Sequence, residues 1–270
     1  MESLYAVLLG CLQGATEFLP ISSSGHLVLA EFFLGLKQAG LTFDVALHMG
    51  TLFAILLYFR NDFFKMSEAV FAPGKKDEEI IRLRRLSLYL VLATIPGALA
   101  GLFLEKAAET LFRSPLLVAA TLTAAGVLLL AAERVTARRR KFDSLTLSDA
   151  LLIGLSQTLA IVPGVSRSGI TMTMGLFCGF DRPSAARFSF LLSAPIILGA
   201  GLHSLPKIIR TGLTAEETLF FLVGILSAGI SGYLVIAFLL RYIKTNSFAI
   251  FAYYRFALSA AVVAALLIRS

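Results

Sequence analysis

The sequence has little charge, histidine or cysteine. Only 15% of its 270 residues are charged, whereas soluble domains carry roughly a quarter. At the same time 57% are hydrophobic, and the mean hydropathy of +0.84 is too high for a water-soluble surface. The three histidines and two cysteines lack metal-ligand spacing, which argues against a zinc site. The apolar residues form long blocks, so we predict a single all-helical membrane domain covering residues 1–270.

The net charge of +7 does not indicate a nucleic-acid partner, because the Lys and Arg fall mostly between apolar blocks. Seven lie in Arg60–Arg85 and five in Arg134–Lys141. We interpret both segments as loops on the cytoplasmic side, where topology and anionic lipids favour positive charge. The expected partners are therefore membrane lipids, and the sequence leaves a homodimer open.

Two apolar blocks, Leu4–Gly35 and Ser148–Gly179, are broken near their centres at Pro20 and Pro163. Each arm has about 15 residues, or roughly 22 Å of helix, which falls short of the ~30 Å hydrocarbon core. Each block is expected either to enter and leave on one side or, alternatively, to span. Six unbroken blocks are predicted to span: Phe43–Phe59, Leu86–Leu104, Pro115–Ala132, Phe188–His203, Leu219–Leu240 and Phe248–Ile268.

The broken blocks are copies of one another. A shift of 144 residues places Gly10–Gly35 on Gly154–Gly179 with seven of 26 positions identical. The repeats are predicted at about 1–135 and about 145–270. Each has one broken block and three spans, so re-entrant breaks make the repeats inverted, as in many transporters, and spanning breaks make them parallel. The identical pairs are Gly10/Gly154, Gln13/Gln157, Ser22/Ser166, Ser24/Ser168, Gly25/Gly169, Phe33/Phe177 and Gly35/Gly179.

The first break follows Gln13 and Glu17, which are four residues apart and share a helix face. A carboxylate inside an apolar block is costly, and we take Glu17 as functional, although a Glu at the water interface is the alternative.

Three hydroxyls and an imidazole follow that break, at Ser22, Ser23, Ser24 and His26. At least one serine is expected only to cap the next helix. Because a cap does not require all four groups, we also predict an activated nucleophile or an anion site here.

The second break carries Ser166, Arg167 and Ser168, with Thr171 one turn later. An Arg is a poor cap for a helix N-terminus, because the guanidinium and the helix end are both positive. Together, the guanidinium and the helix end suit a phosphate-like anion. The alternative is an Arg167 paired with Glu17 alone. Thr171 is expected to pack or to bond back to its own helix, and is kept as a candidate binding residue.

Four further residues are weaker candidates. Asp44 and His48 either line the cavity or belong to the core. Tyr254 and Arg255 are interpreted as interface or snorkelling side chains. If the two breaks meet, Glu17 faces Arg167 across two positive helix ends. Such a cavity suits a diphosphate, and its place in the membrane suggests a lipid-linked one.

The two breaks also resemble the signatures of a known family. Gln13-x-x-x-Glu17 followed by FLPISSSGH at 18–26 is similar to the first signature of bacterial undecaprenyl-diphosphate phosphatases of the BacA type. PGVSRSGIT at 163–171 matches their second signature, P-G-x-S-R-S-x-x-T. The first signature position holds Glu or Gln in that family, so Gln13 excludes a second carboxylate there.

The resemblance implies six transmembrane helices plus two re-entrant helix pairs in inverted repeats. It implies hydrolysis of undecaprenyl diphosphate, which recycles the lipid carrier for cell-wall synthesis and is associated with bacitracin resistance. It also implies a divalent cation (Mg²⁺ or Ca²⁺), a location in the bacterial plasma (inner) membrane, and a site that opens outward to the periplasmic side.

Residues and resemblance together give a mechanistic hypothesis. Ser23 attacks the terminal phosphorus, His26 or Glu17 takes its proton, and Arg167 with the helix-end amides stabilises the phosphoryl oxygens. Glu17 is alternatively a ligand of the cation. Gln13 and the remaining serines are predicted to bind substrate. Direct attack by water stays open, as does a different function class, a lipid-phosphate flippase that binds without hydrolysis.

Overall fold

The computed structural model describes residues 2–34, 40–71, 74, 77–110, 112, 114–135, 140–211 and 214–269, and nearly all of them are helical. Short 3-10 turns occupy Phe142–Ser144 and Gln157–Ile161. Within the described ranges the only β-type pairing is one bridge between Arg140 and Phe180. The helices are α1 Glu2–Phe18, α2 Ser23–Leu34, α3 Gly40–Tyr58, α4 Arg60–Phe71, α5 Glu78–Thr110, α6 Pro115–Val135, α7 Leu147–Ser156, α8 Arg167–Phe177, α9 Arg182–Thr211, α10 Ala215–Tyr242 and α11 Ala249–Arg269.

Among the described residues, five helices are long and apolar enough to cross a membrane: α5, α6, α9, α10 and α11. The bent pair of α3 and α4, which meet at 76°, provides a sixth candidate if it is one span. The protein is therefore a polytopic, all-α membrane protein, and each of the six predicted unbroken blocks coincides with one of these candidates.

The prediction that Arg60–Arg85 is a loop is wrong. Its first part is α4, and α5 already begins at Glu78. Acidic residues in the first turns, Asp62 in α4 and Glu78 in α5, complement the positive helix ends. The Arg84 side chain also bonds back to the Ala69 carbonyl at 2.7 Å, which holds the two helices together.

Both broken blocks are helix pairs, as predicted. The arms of the first, α1 and α2, have 17 and 12 residues, or about 25 and 18 Å. The second continues from α7 through the 3-10 turn Gln157–Ile161 before α8 begins at Arg167. No arm reaches the ~30 Å of a hydrocarbon core.

The two halves exchange equivalent packing partners. In the first half, α1 and α3 both pack on α10 of the second half. In the second half, their repeat equivalents α7 and α9 both pack on α5 of the first half, which is the equivalent of α10. Glycines permit the closest of these contacts. A Cβ at Gly10 would lie 2.5 Å from the Gly224 carbonyl, and one at Gly154 would lie 2.3 Å from the Ala93 carbonyl. This exchange supports two related halves, whose boundaries and inversion stay predictions.

The largest apolar core fixes the end of α1 that carries Glu17. The Phe18 ring is fully buried and meets Phe190 of α9 edge to face, with 5.5 Å between centroids. Because Glu17 directly precedes Phe18, this contact fixes the backbone of α1 at the residue that carries the carboxylate.

Candidate active site

The two breaks meet, as the sequence predicted. The Ser22 hydroxyl of the first break accepts the Gly164 backbone N–H of the second at 3.0 Å. In the other direction, the Ser168 hydroxyl donates to the Leu19 carbonyl at 3.1 Å. These crossed bonds join two points of the chain that are about half its length apart.

Ser22 and Ser166 cap the second arm of each break in the same way. Their backbones adopt positive φ values of 74° and 72°, a region in which non-glycine residues are strained. The Ser22 hydroxyl accepts the Gly25 N–H at 3.2 Å, and the Ser166 hydroxyl accepts the Gly169 N–H at 3.1 Å. Both serines are buried, so their first role is to form the turn.

The Glu17 carboxylate is the centre of the site. One oxygen accepts the Arg167 guanidinium at 2.6 Å, and the other accepts the Ser23 hydroxyl at 2.6 Å and the Gln13 amide at 3.0 Å. The His48 Nε2 atom lies 3.5 Å from the second oxygen. Glu17 is only 6% exposed, so this carboxylate is stabilised by its partners rather than by water.

A small pocket of about 240 Å³ opens onto this cluster. Its polar wall consists of side chains from both breaks and from α3: Glu17, Ser23, Ser24, His48, Ser166 and Arg167.

Backbone amides at the start of two helices add donors to this wall. The N–H groups of Ser23 and Ser24, and those of Arg167 and Ser168, donate to no acceptor in the described part of the chain. Two helix N-termini with free amides and a guanidinium have the chemistry that suits an anion, next to a hydroxyl that is hydrogen-bonded to a carboxylate.

His26 does not contact Ser23. Its Nδ1 lies 2.7 Å from the Ser22 carbonyl and its Nε2 lies 2.8 Å from the Tyr254 hydroxyl, so neither ring nitrogen faces Ser23. Of the two proton acceptors proposed from the sequence, the geometry therefore favours Glu17.

Thr171 bonds back to its own helix, as the sequence suggested. Its hydroxyl donates to the Arg167 carbonyl at 2.8 Å and contacts Ser189 at 2.7 Å. Thr171 and Ser168 are buried and lie outside the residues that line the small pocket.

The sequence also matches that of a known protein family. The sequence model of the family described as "Bacitracin resistance protein BacA" matches residues 6–261. The chain belongs to the BacA family.

Curated BacA relatives match the chain along nearly all of its length. A Moorella thermoacetica protein is 48% identical with all of both chains covered. A Rubrobacter xylanophilus protein is 48% identical over 99% of this chain and all of its own, and one from Gemmatimonas aurantiaca is 46% identical over 98% of each. All three are named undecaprenyl-diphosphatase.

The BacA site offers oxygen atoms for a divalent cation but no complete cage. No group of three or more His, Cys, Asp and Glu side chains in the described ranges could hold a metal. The Gln13 Oε1 atom, on the amide that binds Glu17, is buried and has no hydrogen-bond partner among the described residues. Because Mg²⁺ binds through one or two carboxylates together with water and substrate phosphates, Glu17 fits a cation shared with a diphosphate, whereas Gln13 lies outside the residues that line the pocket.

An apolar groove of about 590 Å³ lies beside the small pocket, between α5 and α9. The two cavities share Val45, Ala160, Arg167, Ile196 and Ala200 in their walls, so they are direct neighbours in this BacA protein.

Arg255 is the site residue that the sequence analysis misjudged. It is 1% exposed rather than at an interface, and its Nε donates to the Pro20 carbonyl at 2.5 Å. Its Nη1 donates to the Val165 carbonyl at 3.1 Å, so one side chain holds both breaks. A charged residue inside the apolar block of α11 could have indicated this role. The cost of burying a charge in an apolar block is the argument that identified Glu17.

Proposed function

We propose that the protein is an undecaprenyl-diphosphate phosphatase, which hydrolyses undecaprenyl diphosphate to undecaprenyl phosphate and inorganic phosphate. The observation that carries the proposal is the contact of 2.6 Å between the Ser23 hydroxyl and Glu17, inside a pocket that also holds Arg167. Membership of the BacA family and the printed names of its relatives agree with it. The product is the lipid carrier of peptidoglycan synthesis, so the reaction recycles that carrier.

The reaction begins with the terminal phosphate in the small pocket. Arg167 uses one nitrogen for Glu17 and another for the Ser189 carbonyl, at 3.3 Å, which leaves further N–H donors for phosphoryl oxygens. Two helices begin at Ser23 and Arg167, which both line the pocket, so the positive ends of these helices favour a phosphate there.

Ser23 is the nucleophile. As its Oγ attacks the terminal phosphorus, its proton moves to Glu17, and the bond from that phosphorus to the bridging oxygen breaks. Undecaprenyl phosphate leaves with the bridging oxygen. A water molecule then attacks the phosphoserine, which releases inorganic phosphate and returns the proton to the Ser23 oxygen.

A divalent cation, Mg²⁺ or Ca²⁺, would neutralise charge on the diphosphate oxygens when bound. Glu17, whose carboxylate lies in the pocket wall, is the group that would hold it, as the alternative to accepting the Ser23 proton.

We further propose that the site opens to the outer face of the bacterial plasma membrane. Arg82 pairs with Asp143 and Arg187 pairs with Asp62, so the basic segments meet at one end of the molecule. Gly97 of α5, in the groove wall, is 15 residues beyond Arg82, or about 22 Å along the helix. If the basic end is cytoplasmic, the groove lies toward the opposite side.

The deciding experiment measures phosphate release from undecaprenyl diphosphate by the purified protein in detergent, with and without EDTA, beside an Arg167→Ala variant. Release that requires both the cation and Arg167 is expected. No release from folded wild-type protein would contradict the phosphatase, and lipid transport measured in liposomes would then favour the flippase.

A further inference from the structure

A separate cavity of about 500 Å³ lies at the end of the molecule where the basic segments meet. Its wall comes from α4, α5, α9 and the chain around the 3-10 turn Phe142–Ser144, and it shares no residue with the small pocket or the apolar groove. Three arginines and three carboxylates line it: Arg82, Arg85, Arg187, Asp62, Glu78 and Asp143. Because the two charges are equal in number, the wall as a whole favours neither a simple anion nor a simple cation.

Two of the arginines and two of the carboxylates neutralise one another. Arg82 of α5 donates to Asp143 at 2.6 Å, and Arg187 of α9 pairs with Asp62 of α4. These ion pairs join the elements that form the wall, so they give the cavity its shape. Their charges are already satisfied and are not available to a ligand.

One cation and one anion in the wall are left without a partner. Arg85 and Glu78 are exposed, and neither makes a hydrogen bond or an ion pair in the described part of the chain. The hydroxyl of Tyr89, one helical turn after Arg85, also has no hydrogen-bond partner there. All three side chains line the cavity, so it offers a carboxylate, a guanidinium and a hydroxyl to a ligand.

These groups follow a fixed order along α5. Glu78 lies in the first turn, Arg85 lies seven residues or about 10 Å further along the helix, and the apolar block begins at Leu86. Spacings of three and four residues place Glu78, Arg82, Arg85 and Tyr89 along one face. The wall of the cavity therefore changes from a carboxylate to a guanidinium to apolar surface as α5 enters its candidate membrane span.

The same order exists in a phospholipid whose headgroup carries an amine. The ammonium group comes first, the phosphate follows, and the acyl chains lie beyond the phosphate. A guanidinium suits the phosphate, and a carboxylate suits an ammonium with N–H donors. A free phosphate would bind Arg85 alone and leave the Glu78 carboxylate facing it without benefit. The arrangement thus favours a zwitterionic ligand with an apolar tail.

We propose that this cavity binds the headgroup of an aminophospholipid of the phosphatidylethanolamine type. Arg85 and the Tyr89 hydroxyl hold the phosphate, and Glu78 holds the primary ammonium. The acyl chains leave along the apolar part of α5. This lipid site is distinct from the candidate active site and does not depend on the proposed function, because none of its residues lines the small pocket.

The test compares the wild-type protein with Glu78→Gln and Arg85→Gln. The matched controls are Glu79→Gln, which removes an equal charge from the same turn of α5, and Arg241→Gln, which removes an exposed arginine at the end of α10. Neither control residue lines the cavity.

The ligands are dihexanoyl phosphatidylethanolamine, the corresponding phosphatidylglycerol and phosphatidylcholine, and glycerophosphoethanolamine, which has the headgroup without acyl chains. Kd values come from ligand-dependent thermal shifts of purified full-length protein in detergent.

We expect the wild type to bind phosphatidylethanolamine more tightly than the other three ligands. Glu78→Gln should weaken that binding roughly 5- to 10-fold and leave phosphatidylglycerol unchanged, because only the contact with the ammonium is lost. Arg85→Gln should weaken both lipids, because both carry the phosphate. The controls should bind like the wild type. Without lipid, Glu78→Gln and Arg85→Gln should keep the wild-type thermal midpoint, since neither side chain has an internal partner to lose.

Four results would overturn the proposal. Equal binding of all three lipids by the wild type would show that the headgroup is not recognised. A loss in either control as large as in the cavity variants would mean that general surface charge attracts the lipid. Glycerophosphoethanolamine binding as tightly as the lipid would indicate a soluble ligand. A lipid-free midpoint several degrees lower in a cavity variant, with its Kd values unchanged, would make that side chain structural. Phosphate release is not a readout here, so failure of the phosphatase would leave these outcomes unaffected.

Discussion

Replacing Ser23 with alanine should greatly lower the rate of catalysis while it changes the stability of the protein only slightly. The hydroxyl donates one hydrogen bond, at 2.6 Å, to Glu17. After its removal Glu17 keeps the Arg167 bond at 2.6 Å and the Gln13 bond at 3.0 Å, so the carboxylate stays paired. The free energy of unfolding should therefore fall by only about 1–2 kcal/mol. If Ser23 is the nucleophile, kcat should fall at least about 10³-fold, because no other hydroxyl donates to Glu17 in the described ranges.

The assay is a single-turnover experiment with substrate labelled in the terminal phosphate, quenched in acid to trap a phosphoenzyme. Ser24→Ala is the matched control, because its hydroxyl lies 3.4 Å from Ser22 and makes no contact with Glu17. The wild type and Ser24→Ala should accumulate label on the protein, and Ser23→Ala should not. A loss of less than about tenfold in Ser23→Ala, with no labelled protein in the wild type, would refute the covalent step and favour a water activated by Glu17.

Three other side chains lead to separate predictions. Arg255→Met should lower the free energy of unfolding by about 2–4 kcal/mol, since it leaves two buried carbonyls of the breaks unsatisfied, and chemical unfolding followed by fluorescence would measure this loss. His26→Gln should lower kcat by less than about tenfold, because neither ring nitrogen faces Ser23; a larger loss would restore His26 as the base. Although burial raises the pKa of Asp181, its hydrogen bonds, among them one from Lys141, bring that pKa below the ordinary value of 3.8. Its contribution to stability should hold above about pH 4 and be lost on acidification, so Asp181→Asn should flatten the acid side of a thermal-midpoint profile.

The architecture was predictable because the bilayer constrains it so strongly. Each of the six unbroken apolar blocks is helical, and the prolines at 20 and 163 stand at the breaks between helix pairs. Helix ends were predicted less well. The charged segment from Arg60 to Arg85 was assigned to a loop. Its side chains in fact pair with each other, as Lys65 does with Glu79, and with other helices, as Asp62 does with Arg187 of α9. Hydropathy identifies the segments that contact lipid, but it does not show whether a helix continues beyond the membrane into water.

The site was predictable where the chemistry is local in sequence. Glu17 was singled out by the cost of an intramembrane carboxylate, and the structure brings it to Arg167, which is 150 residues away. The roles of single hydroxyls were not predictable, since capping and ligand binding use the same serines. Ser22 and Ser166 form the caps, and only the fold shows that Ser23 points at the carboxylate.

The difference between the two halves explains how a duplicated scaffold becomes an active site. The shift of 144 residues that pairs the capping serines also pairs Ser23 with Arg167 and Glu17 with Ile161. One half therefore supplies the hydroxyl and its proton acceptor, while the other supplies the Arg167 guanidinium. A second carboxylate at Ile161 would face the incoming phosphates and would compete for Arg167, which binds an anion only while donors remain free. The same replacement removes the carboxylate that Gln13 binds in the first half, so the Gln157 amide has no hydrogen-bond partner in the described part of the chain, although it occupies the equivalent position.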